Sequence, residues 1–318
     1  MRAALLRRNG PLDSVELGQI AAPTPSSAQL LVRVRAAAVN PADLKVVTGK
    51  DGAAFIHAKR FPMTFGYDFS GVIEQVGAAV TGRAVGDEVF GHLAYSMRTR
   101  QGSFADLVAV DSSEVAAKPA NVSHEAAASS ATVGCTALQA LRDKGRLQAG
   151  QRVLINGASG GVGSYAVQVA RLLGAEVWGT ASAAKSDFVR GLGATRVIDY
   201  RETPIASLDE TFDVIFDVAV SSSYQETRHL LRRGGAYVTL LPSGTLFVGM
   251  LLSMFSNTRC TMITVRSRGS DLAQLGAWLA SGELEPSIEQ VFPLSEVSTA
   301  LAALQSGAIR GKLAIHVD

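Results

Sequence analysis

The sequence has few cysteines: only Cys135 and Cys260 occur among 318 residues. Two cysteines cannot form a cysteine-rich zinc site, and they do not suggest the disulfide framework of a small secreted domain. The first ten residues lack the long apolar stretch of a signal peptide, and the longest apolar run, residues 246–255, is about half a membrane span. We therefore expect a reduced, cytoplasmic protein without a membrane anchor.

An excess of charge of one sign is also missing. The 30 basic and 28 acidic residues leave a formal net charge of +2, which gives no footprint for nucleic acid or for an anionic membrane. The hydrophobic fraction of 47% is that of an ordinary globular enzyme. The length suits two domains, at roughly 100–200 residues each.

The spacing of apolar residues changes near residue 123. Before this point, short strands at 29–35, 71–77 and 87–90 are separated by glycine-containing turns, a pattern typical of a small barrel or sandwich. After it, strands alternate with helices, which predicts a parallel sheet covered on both faces. The predicted strands of this second region are 152–156, 175–180, 196–200, 212–219, 235–241 and 260–266.

The segment 153–163, VLINGASGGVG, carries the most information about function. A short apolar strand leads into a glycine-rich turn that opens an amphipathic helix, predicted at 162–173. This context favours a dinucleotide site, because the backbone must approach a pyrophosphate closely and offer it free N–H groups. The match to G-x-G-x-x-G is imperfect, since Ala158 occupies the first glycine position. The candidate cofactor-binding residues of the turn are Ser159, Gly160, Gly161 and Val162, followed by Gly163.

The next strand indicates which dinucleotide binds. A site for NAD usually carries an acidic residue about 20 residues beyond the glycines, where it bonds the ribose 2′-OH. Here no acidic residue occurs until Asp187, whereas Ser182 and Lys185 offer a hydroxyl and a cation suited to a 2′-phosphate. Tyr200, at the end of the third strand, could close over the same phosphate. The sequence therefore favours NADPH, although Lys185 could equally be an ordinary solvated lysine.

Seven segments together resemble the medium-chain dehydrogenase/reductase superfamily, in its quinone oxidoreductase (zeta-crystallin-like) branch. They are AVNPAD at 38–43, GYDFSGV at 66–72, GDEVF at 86–90, GCTAL at 134–138, ASGGVG at 158–163, LGATRVIDY at 192–200 and GK at 311–312. The resemblance implies an α/β protein with a GroES-like β-barrel catalytic domain, residues 1–122 and 264–318. It also implies a Rossmann domain with a doubly wound parallel sheet, residues 123–263, a catalytic cleft between the domains, and a homodimer through the sheet edge near 246–255.

The chain departs from the zinc alcohol dehydrogenases of this superfamily. Their zinc ligands are Cys, His and Cys, and the matching positions here are Asn40, Tyr67 and a residue near Thr132. We therefore expect no metal. Asn40 is a candidate for positioning the nicotinamide or the substrate oxygen, and Tyr67 for lining the site or donating a proton. Either residue could instead be structural. Thr132, Arg310 and Lys312 are further candidate cofactor contacts, and a solvated charge pair is an equal alternative for the last two.

Without a metal, hydride must go to carbon that is already electron-poor. The leading hypothesis is an NADPH-dependent quinone oxidoreductase or 2-alkenal (enone) reductase. A second hypothesis is an enoyl reductase that acts on a carrier-bound thioester, although the sequence shows no basic docking face. A third, from another class, is a non-catalytic NADPH-binding protein.

Overall fold

The chain folds into two units, and the first is built from both of its ends. The computed structural model describes residues 1–50 and 52–318. One unit comprises Met1–Cys135 with Arg266–Asp318, and the other comprises Thr136–Val265. These compact units divide after Cys135 and Val265. The domain limits implied by the resemblance, after residue 122 and before residue 264, stay a prediction.

Strands form three separate sheets. In chain order the strands are β1 (Arg2–Leu6), β2 (Val15–Gln19), β3 (Gln29–Ala38), β4 (Met63–Thr64), β5 (Asp68–Val76), β6 (Glu88–His92), β7 (Leu107–Asp111), β8 (Val115–Ala117), β9 (Arg152–Asn156), β10 (Glu176–Ala181), β11 (Arg196–Asp199), β12 (Phe212–Asp217), β13 (Leu231–Thr239), β14 (Arg259–Met262), β15 (Ile288–Pro293) and β16 (Lys312–His316).

The α-helices lie between and after these strands. They are α1 (Pro41–Thr48), α2 (Ala53–Ile56), α3 (His124–Leu138), α4 (Gly161–Leu172), α5 (Ser186–Gly191), α6 (Tyr224–Thr227), α7 (Gly244–Ser253), α8 (Gly269–Ser281) and α9 (Val297–Gln305). Helix α3 begins where predicted, since the Ser123 hydroxyl accepts a hydrogen bond from the Ala126 N–H at 3.1 Å. In the part of the chain that is described, no helix is long and apolar enough to cross a membrane.

The second unit contains a six-stranded sheet in the order β11-β10-β9-β12-β13-β14, and all its neighbours are parallel. Counted from β9, this is the order 3-2-1-4-5-6 of a doubly wound dinucleotide-binding fold. The six predicted strands are confirmed, with their ends shifted by a few residues. Strand β14 lies at one edge of the sheet. The turn after β9 lies at the point where the strand order reverses, which is where such folds bind ligands.

The first unit has a mainly antiparallel sheet in the order β15-β16-β3-β5-β6-β8, with β7 also pairing with β3. Strand β16 pairs with β3, so the C-terminal segment completes a sheet begun near the N-terminus. The third, smaller sheet is β2-β1-β4. Buried aromatic and branched side chains fill this unit, among them Val32, Phe69 and Ile315. Each fully buried side chain of this size stabilises the fold by roughly 1.5–3 kcal/mol.

Candidate functional site

The glycine-rich turn of the second unit joins β9 to α4. Gly157, directly after β9, has a φ of +86°, a left-handed conformation that glycine adopts without strain. Gly157 therefore provides the tight turn, one residue before Ala158, which occupies the first glycine position of the sequence pattern. Helix α4 begins at Gly161, and its N-cap residue Gly160 has no side chain to cap the first N–H groups. These groups are left to an external acceptor, and an anion suits them best.

Space around the turn differs sharply between its glycines. A Cβ on Gly163 would lie 2.0 Å from the Gly157 carbonyl oxygen, so the helix packs directly on the turn. A Cβ on Gly160 would meet only that same oxygen, at 3.7 Å, and otherwise open space. The backbone is therefore bare on the outer side of Gly160. Together with the uncapped helix, this cradle fits the pyrophosphate of a dinucleotide. Ser159, Gly161 and Val162 are half-buried beside it.

The turn is held in place by a polar network that the sequence analysis missed, formed by Asn156, Thr180, Asp217 and Tyr237. The Asn156 amide donates to Asp217 at 2.7 Å, and Asn156 Oδ1 accepts from the Thr180 hydroxyl at 2.7 Å. That hydroxyl in turn accepts from the Gly157 N–H at 2.9 Å. The Tyr237 hydroxyl donates to Asp217 at 2.8 Å. The sequence could have indicated this network, because Asn156 and Asp217 end adjacent parallel strands and Thr180 is one residue from the end of a third, and such ends meet at one edge of the sheet.

The residues predicted to select NADPH lie at the ends of β10 and β11. Ser182 follows β10 directly and is buried, Lys185 ends the short 3₁₀ turn after it, and Tyr200 follows β11 and is half exposed. The structure also places Asp199 near Ser182. Its carboxylate accepts from the Ala183 N–H at 2.9 Å and from the Arg201 N–H at 2.9 Å. Asp199 is thus occupied by backbone donors.

The first unit contains a buried ionic cluster around Asn40. The Lys312 ammonium donates to Asn40 Oδ1 at 2.7 Å and to the Val39 carbonyl at 2.7 Å, and it lies 3.4 Å from Asp68 Oδ2. The Asn40 amide nitrogen donates to the same Asp68 oxygen at 2.8 Å. The other Asp68 oxygen accepts from the Thr132 N–H at 2.8 Å. Asn40, Asp68 and Lys312 are at most 3% exposed. Lys312 is therefore committed to this cluster by direct bonds, and its predicted contact with a cofactor stays a prediction.

A second carboxylate, Asp43, lies on the first turn of α1. Its Oδ2 accepts from the Asn40 N–H at 2.7 Å, and its Oδ1 has no hydrogen-bond partner among the described residues. Burial raises the pKa of Asp43 to about 8, against the opposing effects of that hydrogen bond and of Lys312. Burial also lowers the pKa of Lys312. A protonated Asp43 leaves Asp68 and Lys312 as the charged pair, which keeps the cluster neutral.

Two tyrosines pack beside this cluster, with Tyr67 and Tyr95 ring centroids 4.2 Å apart. The Tyr67 hydroxyl donates to the Ile56 carbonyl at 2.9 Å, and only 1% of the residue is exposed. Burial raises its pKa, as does Asp43. The hydroxyl is thus held by backbone, and its predicted role as a proton donor stays a prediction. Tyr95 is only partly buried, and burial and Asp68 also raise its pKa.

Arg310 differs from Lys312, although they are only two residues apart. Its side chain is exposed, and its Nε lies 3.8 Å from Glu289. Its backbone N–H also donates to the Glu289 carboxylate. The solvated charge pair, the alternative for Arg310 and Lys312, therefore applies to Arg310 alone, because Lys312 is only 3% exposed. A cofactor contact by Arg310 stays a prediction.

The residues at the zinc-ligand positions do not fit a zinc ion. An amide at Asn40 and a hydroxyl at Thr132 are poor ligands, and the Tyr67 phenol stays protonated because its pKa is raised. Across residues 1–50 and 52–318, no three His, Cys, Asp or Glu side chains form a group that could hold a metal.

Two family models match the chain. That of the alcohol dehydrogenase GroES-like domain covers residues 26–120, and one described as zinc-binding dehydrogenase covers residues 192–315. The second description names a metal for which the residues above provide no ligands. The first match lies within the first unit, whereas the second covers part of the second unit and continues into the C-terminal segment of the first.

Similar proteins cover almost the whole chain. The mitochondrial NAD(P)H oxidoreductase RTN4IP1 of Homo sapiens is 34% identical, over 91% of this chain and 82% of its own. The chloroplastic NADPH-dependent alkenal/one oxidoreductase of Arabidopsis thaliana is 32% identical, over 99% and 79%. The solved structure of the quinone oxidoreductase from Coxiella burnetii superposes with a TM-score of 0.90 at 30% identity, over 100% and 99% of the two chains. The chain belongs to the medium-chain dehydrogenase/reductase superfamily, in its quinone oxidoreductase-like branch.

Proposed function

We propose that this protein is an NADPH-dependent reductase of α,β-unsaturated carbonyl compounds and quinones. The observation that carries the proposal is the uncapped helix start beside the bare Gly160, which provides a pyrophosphate cradle at the switch point of the sheet. Two relatives support the substrate class, since their names specify alkenals and enones in one case and quinones in the other.

Selection of NADPH rests on the residues after β10. Ser182 and Lys185 offer a donor and a cation for the 2′-phosphate, and Tyr200 supplies an exposed ring at the end of the neighbouring strand β11. The Asp199 carboxylate lies close to Ser182, but it already accepts two backbone N–H groups, those of Ala183 and Arg201. Asp199 therefore does not supply the free acceptor with which an NAD site binds the ribose.

Bound NADPH supplies a hydride to the substrate's electron-poor carbon. In an enone that carbon is the β-carbon, and the resulting enolate needs hydrogen-bond donors and then a proton at its α-carbon. We assign Asn40 the role of a positioning residue. Its amide nitrogen donates to Asp68 and its amide oxygen accepts from Lys312, so the side chain is held in one orientation. Tyr95, the more exposed of the two tyrosines, is the better placed to reach a substrate, and Tyr67 packs behind it.

The test is NADPH oxidation by purified, chelator-treated protein. 2-Hexenal, benzoquinone and an acyl-carrier enoyl thioester serve as acceptors, and each is repeated with NADH. We expect turnover of the free alkenal or quinone, a higher kcat/KM with NADPH, and no effect of the chelator. Activity only on the carrier-bound thioester would favour a biosynthetic enoyl reductase. NADPH binding without turnover of any acceptor would favour a non-catalytic protein.

We also propose that the protein is a homodimer in the cytoplasm. The support for a dimer is the apolar surface of α7, where Phe247 is 64% and Leu251 is 58% exposed, next to the edge strand β14. A second copy of the chain would cover this face and pair the strand edge. The support for the cytoplasm is that both cysteines are buried and form no disulfide among the described residues. Cell fractionation tests it, since the relatives from Homo sapiens and Arabidopsis thaliana are named as mitochondrial and chloroplastic.

A further inference from the structure

A pocket of about 260 Å³ lies in the second unit, at the amino ends of the parallel strands. The glycine-rich turn follows the carboxyl end of β9, roughly 16 Å away along a five-residue strand. The pocket is therefore separate from the proposed cofactor cradle. Three arginines line it, together with backbone and few other side chains: Gly145, Arg146, Gln151, Asp213, Arg233, Gly234, Gly235 and Arg259.

The positive charge of this pocket is not neutralised. Arg146 and Arg233 have no ion pair among the described residues. The one carboxylate in the lining, Asp213, is 2.8 Å from the Arg232 guanidinium and accepts from the Arg152 N–H at 2.8 Å. Arg259 donates to the carbonyls of Lys144 and Gly145, which fixes its guanidinium in place. Burial and then the neighbouring Arg146 lower the pKa of Arg259, as expected for like charges held together.

Backbone conformation gives independent support. Arg146 has a φ of +55°, and it ends the helical turn Gln139–Gly145 in the left-handed region. Glycine is the usual residue at such a position, because other side chains are strained there. A cation at this point costs stability twice, through strain and through repulsion of Arg259. Strained residues of this kind concentrate at ligand sites.

We propose that this pocket binds a small diphosphate-type polyanion through Arg146, Arg233 and Arg259. Guanidinium groups form bidentate, charge-assisted hydrogen bonds with phosphate oxygens. The volume lies below the roughly 300–1,000 Å³ of pockets for drug-sized ligands, so a compact anion suits it. Gly234 leaves the backbone bare, since a Cβ there would meet nothing within 4 Å, and this permits close approach of a ligand.

The experiment is calorimetric titration of inorganic pyrophosphate into the NADPH-saturated protein. Saturation keeps pyrophosphate out of the cofactor cradle, and a parallel titration without NADPH keeps the test independent of the proposed function. We expect one site per chain, an affinity that falls with added salt, and binding at least about tenfold weaker in Arg233→Gln. The matched control is Arg228→Gln, which removes an exposed arginine outside the pocket and should leave the affinity unchanged.

Arg146→Gly separates binding from folding. Glycine suits the left-handed conformation, so the melting temperature should be unchanged or higher, while pyrophosphate affinity should fall about tenfold or more. ADP, titrated in the same way, distinguishes an organic diphosphate from the free anion, since only the former gains affinity from the nucleoside. The proposal is overturned if the wild-type protein does not bind pyrophosphate, if NADPH abolishes the binding, or if Arg233→Gln and Arg146→Gly bind as tightly as the wild type.

Discussion

The cluster around Lys312 shows how individual residues can be fixed by charge inside a protein. Lys312 and Asp68 are both buried, and the Asn40 amide lies between them with its oxygen toward the ammonium and its nitrogen toward the carboxylate. A buried ion pair of this kind contributes little net stability, but removal of one partner leaves the other unpaired. The cluster therefore orients Asn40 more than it strengthens the fold.

Lys312→Met should lower the free energy of unfolding by about 3–5 kcal/mol, because Asp68 would remain as an unpaired buried charge. Denaturant unfolding measures this loss. Arg310→Gln, at the exposed neighbouring position, should cost no more than about 1 kcal/mol. Adding Asp68→Asn to Lys312→Met should restore part of the loss. Equal effects of the Lys312 and Arg310 changes would contradict the buried pair.

Asp43 should make stability depend on pH in an unusual direction. Its pKa is raised from 3.8 to about 8 in the folded protein, so between these values the folded state binds more protons than the unfolded state. The free energy of unfolding must then fall as pH rises through this window. Denaturant titrations at several pH values should show this slope in the wild type and a smaller one in Asp43→Asn. Identical slopes in both proteins would show that Asp43 ionises normally.

Single residues were the least predictable part of the site. Asn40, Lys312 and Thr132 were predicted as separate site residues. The sequence does not show that Asp68 contacts all three, because these residues are far apart in the chain. The pKa values of buried charged groups also depend on desolvation, which residue spacing does not encode. The role of Tyr67 as a proton donor stays a prediction. The bond from its hydroxyl to the Ile56 carbonyl depends on tertiary packing, which the sequence alone does not show.

At the scale of elements, the β9–α4 turn makes two neighbouring glycines behave differently. Gly163→Ala places a methyl group 2.0 Å from the Gly157 oxygen, so the protein should lose at least about 2 kcal/mol of stability.

Gly160→Ala meets no such contact and should change the free energy of unfolding by less than about 0.5 kcal/mol. Its methyl group would instead enter the cradle, and NADPH affinity should fall at least about tenfold. Calorimetry and denaturant unfolding measure both quantities, and full NADPH affinity in Gly160→Ala would contradict the cradle.

Strands and helices of the second unit followed from the sequence because buried parallel strands are short apolar runs between turn residues. The helix predicted at 162–173 is α4, within one residue at each end. The pattern has Ala158 at its first glycine position, and only backbone geometry shows that the left-handed turn lies one residue earlier, at Gly157. The apolar run 246–255, near which the resemblance places a dimer edge, lies largely in α7, and most of its apolar side chains are exposed in the single chain.

At the scale of the whole molecule, the apolar face of α7 predicts the assembly. Phe247 and Leu251 are four residues apart and therefore lie on one side of the helix. Replacing both by glutamate should convert a dimer into a monomer, as measured by light scattering after size-exclusion chromatography. Phe55→Glu, a change at an equally exposed aromatic residue of the first unit, should leave the dimer intact. A wild-type monomer at micromolar concentration would contradict the proposed homodimer.

The overall architecture was predictable because it needs only the alternation of elements and the order of motifs. The return of the C-terminal strand β16 to β3 came from the resemblance, since nothing in the local sequence near Lys312 indicates its partner. The arginine pocket at the amino ends of the strands was not predicted, because its residues are separated by more than a hundred positions and match no motif.

In the proposed reaction, hydride reaches the β-carbon of an α,β-unsaturated carbonyl compound. NADPH carrying deuterium at the transferred position, with 2-hexenal as the acceptor and analysis of the product by NMR, shows where the hydride goes. We expect a saturated aldehyde with one deuterium at the β-carbon and a solvent proton at the α-carbon. Deuterium at the carbonyl carbon, in an unsaturated alcohol, would contradict it and indicate an alcohol dehydrogenase.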